Sequence, residues 1–159
     1  MPNDKLLRDH LRKLLDWSDA HVGFDRAVKG IPTRLRGVVP SGLEHSAWQL
    51  VEHMRLAQAD ILEFCVNPKY REKKFPDDYW PRNPAPKDAA TWTAAVAAFR
   101  RDVSAMARLA SDRAIDLFAT IPHGSGQTYL REILLVADHN AYHVGQLIAV
   151  RRALGIWQA

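Results

Sequence analysis

The sequence predicts an all-α protein: a single four-helix bundle occupying residues 1–159. Three observations carry that reading. Apolar residues recur at spacings of three and four through four separate stretches, the period of a helix with one buried face. No stretch shows the strict alternation of a half-buried strand. The 159 residues, 47% apolar and 25% charged, suffice for one packed core and fall short of two.

The first helix is expected over residues 3–29, where Leu7, Leu11, Leu14, Trp17, His21, Phe24 and Val28 line one stripe. Gly30-Ile31-Pro32 ends it. The second begins at Ser46, whose hydroxyl can cap the helix while Gln49 reaches back to it. Its stripe of Ala47, Leu50, Met54, Ala57, Ile61 and Phe64 alternates steps of three and four, as in helices packed about 20° from parallel. Asn67-Pro68 stops it.

The third follows Pro84-Ala85-Pro86 and a cap at Asp88, with Trp92, Val96, Phe99, Val103, Met106 and Ala110 turned inward. The fourth starts near Thr128, after Gly124-Ser125-Gly126, and runs to Gly155. Leu130, Ile133, Leu134, Ala137, Ala141, Val144 and Ile148 give it a broad apolar face. The two long linkers carry the topology. The second, residues 67–87, holds Tyr70, Phe75, Tyr79 and Trp80 among four prolines and is expected to cross the bundle and pack over one end. Such a crossing allows neighbouring helices to run parallel.

Composition narrows the function classes. No apolar run is long enough to span a bilayer, and the N-terminus enters a charged amphipathic pattern with no signal peptide visible. One cysteine, Cys65, cannot form an internal disulfide, which suits a reducing cytoplasm; it falls among packing positions. The net charge is +4, with small basic clusters at Arg34 and Arg36, at Lys69 to Lys74, and at Arg151 and Arg152. Eighteen interspersed carboxylates make these a solvated surface and not a groove for nucleic acid.

The chemistry lies in the histidines. In Asp138-His139-Asn140-Ala141-Tyr142-His143, two imidazoles stand at i and i+4 on one helix face, in reach of a common ion. His53, one position off the Leu50–Met54 line of the second helix, can turn toward them. Three neutral imidazoles leave coordination positions open, the arrangement of a reactive and not a structural zinc-type site. The bland alternative is a set of satisfied histidines at a bundle edge. Asn140 follows His139, so the H-E-x-x-H signature of a zinc peptidase is absent, as is any Ser-His-Asp set or phosphate-cradling loop. Glu52 and Asp138 each precede a ligand candidate and should point away from the ion, whereas Asp60 and Gln146 share the ligand faces and could orient imidazoles. His21 reads as a core histidine first and a fourth ligand second; His45 and His123 fall in loops near helix starts, and His10 reads as a surface or helix-packing residue.

Those residues resemble a known family. Trp48-Gln49-Leu50-Val51-Glu52-His53, then Ile121-Pro122-His123-Gly124 with Gln127-Thr128, then Asp138 to His143 followed by Val144-Gly145-Gln146, are similar to the DinB-like damage-inducible proteins. The Asp16-Trp17…Ala20-His21 and Tyr79-Trp80-Pro81 segments resemble one branch of it. The resemblance implies an up-down-down-up bundle with a long crossover between the second and third helices. It implies a divalent metal, zinc or nickel, on His53, His139 and His143. It also implies thiol-dependent transferases or isomerases among the relatives.

The reading that follows is a metal-dependent enzyme acting on a small-molecule substrate, an S-transferase or a related thiol- or water-activating enzyme, with a low-molecular-weight thiol as a possible second cofactor. Tyr79 and Trp80 would wall its pocket, with His21 and Gln146 as nearby polar groups. The alternative is a non-enzymatic metal-binding stress-response bundle. Leu6, Leu15, Leu147 and Val150, with Ile156-Trp157 at the tail, suggest an outer apolar face suited to a homodimer. Metal-dependent stabilisation should fade below about pH 6, because an unperturbed imidazole titrates near 6.5.

Overall fold

A computed structural model describes residues 2–16 and 19–158. It contains α1 (Pro2–Leu14), α2 (Phe24–Val28), α3 (Ala47–Val66), α4 (Ala89–Ser111) and α5 (Tyr129–Ala153), with a 3₁₀ turn at Thr33–Leu35. Among the described residues the only β-type pairing is one isolated bridge, Thr120 to Thr128. No helix among the described residues is long and apolar enough to cross a membrane.

The expected caps form. The Ser46 hydroxyl accepts from the Gln49 amide at 3.1 Å, and the Gln49 side-chain oxygen accepts from the Ser46 amide at 3.1 Å. Asp88 and Thr128 accept from the amides of Thr91 and Arg131 in the same way. At the other end of α5, the amides of Gly155 and Ile156 bond back to the carbonyls of Arg152 and Arg151, both at 3.0 Å. That closure needs a left-handed residue, and Gly155 supplies it at φ 69°.

The first expected helix is instead two. Leu15 still bonds to the Leu11 carbonyl, but the Asp16 amide turns to Lys13, a tightening that closes the helix. Gly23, extended at φ −79° and ψ 170°, then caps α2. Asp16 and Asp19 are weak helix formers, and a glycine between them and Phe24 removes what propensity remains. Trp17, placed on the inner stripe by its spacing, lies outside the described residues.

Two core clusters fix the topology. One contains the starts of α3 and α4 (Trp48, Leu50, Met54; Trp92, Val96, Phe99), the end of α5 (Val144, Leu147, Val150) and α2. The other contains the ends of α3 and α4 (Cys65; Met106, Leu109, Ala110), the start of α5 (Ile133, Val136, Ala137), Leu11 of α1 and Leu15 just after it. Helices α3 and α4 therefore run parallel, and α5 runs against both. The α1–α2 arm also runs against α3, giving up-down-down-up with the crossover at residues 67–88. A buried polar chain ties the layers: Gln58 donates to the Phe99 carbonyl at 2.8 Å and accepts from Asn140 at 2.7 Å.

Arg151, which reads as surface charge, is buried, and so is Arg8. Arg8 donates to the carbonyls of Ala110, Asp112 and Ile115, placing a cation at the C-terminus of α4. Arg151 donates to those of Arg26 and Ala27 and lies 4.9 Å from the Trp157 ring centre. The apolar face suggested for a partner is mostly internal: Leu15, Leu147 and Val150 are buried, and only Leu6 stays exposed, at 57%.

The two long linkers touch at Gly37, where an added Cβ would fall 2.3 Å from the Ala85 Cβ. Gly37→Ala should therefore destabilise the fold by about 1–3 kcal/mol through overpacking. Urea unfolding with an unchanged midpoint would show that this contact yields freely.

Candidate metal centre

Helix α5 sets His139 and His143 one turn apart on the face that packs against α3, and α3 brings His53 to meet them. The Nε2 of His53 lies 3.1 Å from that of His143 and 3.0 Å from that of His139. One ligand atom from each ring falls within 4.8 Å of the others, the one cluster of its kind among the described residues. Tetrahedral nitrogens bonded at 2.0–2.1 Å stand roughly 3.3–3.4 Å apart, so the two distances from His53 are close to those around a single ion.

The outer ring nitrogens explain the orientation. Nδ1 of His53 contacts the Tyr79 carbonyl at 2.9 Å. A carbonyl only accepts, so that Nδ1 carries the proton and Nε2 presents a lone pair. His143 Nδ1 donates to the Gln146 side-chain oxygen at 2.7 Å, and the Gln146 amide donates to the Tyr142 hydroxyl. Two lone pairs thus face each other across 3.1 Å. Lone pairs at that distance repel unless a proton or a cation lies between them. Three neutral imidazoles suit zinc or nickel, so the residues fit the ion.

Burial keeps the rings neutral. It pushes His53 and His139 down to about 4, and the other imidazoles of the cluster add to the push. His143 is lowered too, again chiefly by burial. Part of the cover is Trp80, whose ring lies 3.8 Å above His53 and almost parallel to it, at 6°. His45 stacks on the other face of that indole at 4.0 Å.

The residues singled out from sequence divide as follows. Gln146 reaches His143, and Trp80 covers His53. Asp60 bonds to no imidazole: it is 6% exposed and accepts from the hydroxyls of Tyr79 (2.5 Å) and Tyr70 (3.2 Å), with Lys73 at 3.4 Å. Burial and that carboxylate raise Tyr70 to about 12 and Tyr79 further, so both remain phenols. His21 is not a core histidine: the helix break leaves it exposed, bonded to the Val22 carbonyl. It lines a separate cavity of about 290 Å³ with Phe24 and Phe99. Glu52 pairs with Arg55, and Asp138 is exposed. His123 caps the Phe64 carbonyl.

A cavity of about 680 Å³ opens against the cluster, lined by His53 and His139, by Asp60, Tyr70 and Tyr79, and by Phe64 and Phe75. Arg131 and the buried Glu132, paired with each other, stand farther along it. The sequence offered no sign of Glu132 as a site residue, because it reads as the ordinary acidic residue of a helix first turn. Cys65 is buried, with its thiol pushed up to about 12 by burial, which fits packing and not reactivity.

A family model described as the DinB superfamily matches residues 17–147 of this sequence. No curated protein and no solved structure matches the chain.

Proposed function

Because the chain belongs to the DinB superfamily, we propose that it is a divalent-metal-dependent enzyme that activates a small thiol or water, most simply an S-transferase using a low-molecular-weight thiol. The observation that supports this reading is the convergence of three imidazole nitrogens, two with outer protons already committed, with His53 and His139 in the wall of a 680 Å³ cavity. A zinc or nickel ion held there supplies Lewis acidity, lowering the pKa of a thiol or water presented to it.

The chain's own residues do the rest. Tyr79 and Gln146 hold the tautomers of His53 and His143, so that Nε2 is the donor atom in each. Trp80 excludes water from one face of His53. Phe64, Tyr70, Phe75 and Tyr79 offer the cavity an aromatic wall for the organic part of a substrate.

Purified protein should carry about one divalent ion per chain by elemental analysis. It should also turn over electrophiles with one member of a panel of small thiols, and chelation should abolish that turnover. Tight metal without turnover, across thiols and hydrolysable substrates, would move the assignment to the alternative, a non-enzymatic bundle whose ion stabilises the fold. A cytoplasmic setting and a homodimer are part of the proposal. A monomer mass by light scattering at tens of micromolar would remove the dimer.

A further inference from the structure

We propose that Asp60 is a positioning residue for the metal centre: through Tyr79 it holds the carbonyl that orients His53. The inference rests on the metal reading above and deepens it. Asp60 sits two helical turns beyond His53, about 10 Å along α3, and is outside the three-residue ligand cluster. Its influence must travel through something, and the crossover provides the path.

Between residues 70 and 79 the crossover is mostly exposed. Its side-chain hydrogen bonds and ion pairs to the helices there, from Tyr70, Lys73 and Tyr79, all end on the Asp60 carboxylate. Tyr79 is the residue that matters, because the same residue bonds at both ends. Its hydroxyl donates to Asp60, and its carbonyl accepts from His53 Nδ1. The carboxylate can accept from two phenols and an ammonium group at once, and no neutral side chain of that size can. Removing its charge frees a segment that has no other side-chain tie of this kind among the described residues. The Tyr79 carbonyl then no longer has a fixed position, and His53 loses the acceptor that fixes its tautomer and ring angle.

Groups that orient a metal ligand are worth about 10–100-fold in metal affinity, and one acting through a further residue belongs at the lower end. The test uses full-length protein, stripped and then titrated with zinc or cobalt(II). Asp60→Asn should weaken both metals about tenfold and alter the visible absorption of the cobalt form, with far-UV circular dichroism unchanged. Tyr79→Phe removes one hydroxyl, should fold regardless, and should reproduce the effect. The double variant should be no worse than the stronger single one, since both cut one path. Tyr70→Phe should do less. A merely structural role for Asp60 would lower melting while leaving affinity and the cobalt spectrum at their wild-type values; that result overturns the inference and spares the metal reading. Wild-type protein that binds neither metal overturns both.

Discussion

At pH 7.5 the metal-loaded protein should melt roughly 8–16 °C above the same protein treated with chelator. An ion that binds only the folded chain, free at about 1,000 times its dissociation constant, adds about 4 kcal/mol. Each kcal/mol moves the midpoint of a domain this size by about 2–4 °C. Loss of a ligand should erase most of that increment. His53→Ala also removes a donor to Tyr79 and the ring beneath Trp80, so the metal-free form of that variant melts lower too. The difference between loaded and stripped protein isolates the ligand role from the packing role. His139→Ala is the cleaner variant, since its ring is only partly buried and has no stack on Trp80. Helical content should be unchanged in both. Identical wild-type melting with and without zinc or nickel would leave three converging histidines in want of another explanation.

Features encoded within a few residues were legible in the sequence. The Ser46–Gln49 box, the Asp88 cap and the His139–His143 turn depend only on spacing along one helix, and each forms as expected. The phase of His53 was equally local. What the spacing could not reveal depends on where the chain goes between helices. The break before Gly23 exposes His21, whereas the apolar stripe continues through that stretch in the sequence and masks its poor helix formers. The acceptor for His53 is a backbone carbonyl at Tyr79, and a carbonyl has no residue signature. Asp60 shares the helical face of His53, which suggested a direct bond, yet the crossover descends between them and takes the carboxylate for its own tyrosines.

The same burial changes the expected response to acid. Free imidazoles titrating near 6.5 would make the metal increment fade below about pH 6, as the sequence suggested. In the folded chain His53 and His139 are instead pushed down to about 4 by burial. Above pH 6.5 these groups are neutral both folded and unfolded and contribute nothing to the pH dependence. Between 6.5 and about 4 the unfolded chain holds more protons, so metal-free stability falls as pH falls through that window. The metal increment follows a different curve. It depends on competition at the folded site, where His53 and His139 stay neutral until pH approaches 4. The expected result is a melting temperature that drops for both forms from pH 7.5 to 5.5, with the gap between them nearly preserved. The gap should close between pH 5 and 4. Paired melts at pH 7.5, 5.5 and 4.5 measure it directly. A gap already lost at 5.5, with helical content intact, would mean that the cluster titrates as exposed imidazoles do and that the Trp80 cover does not shield it.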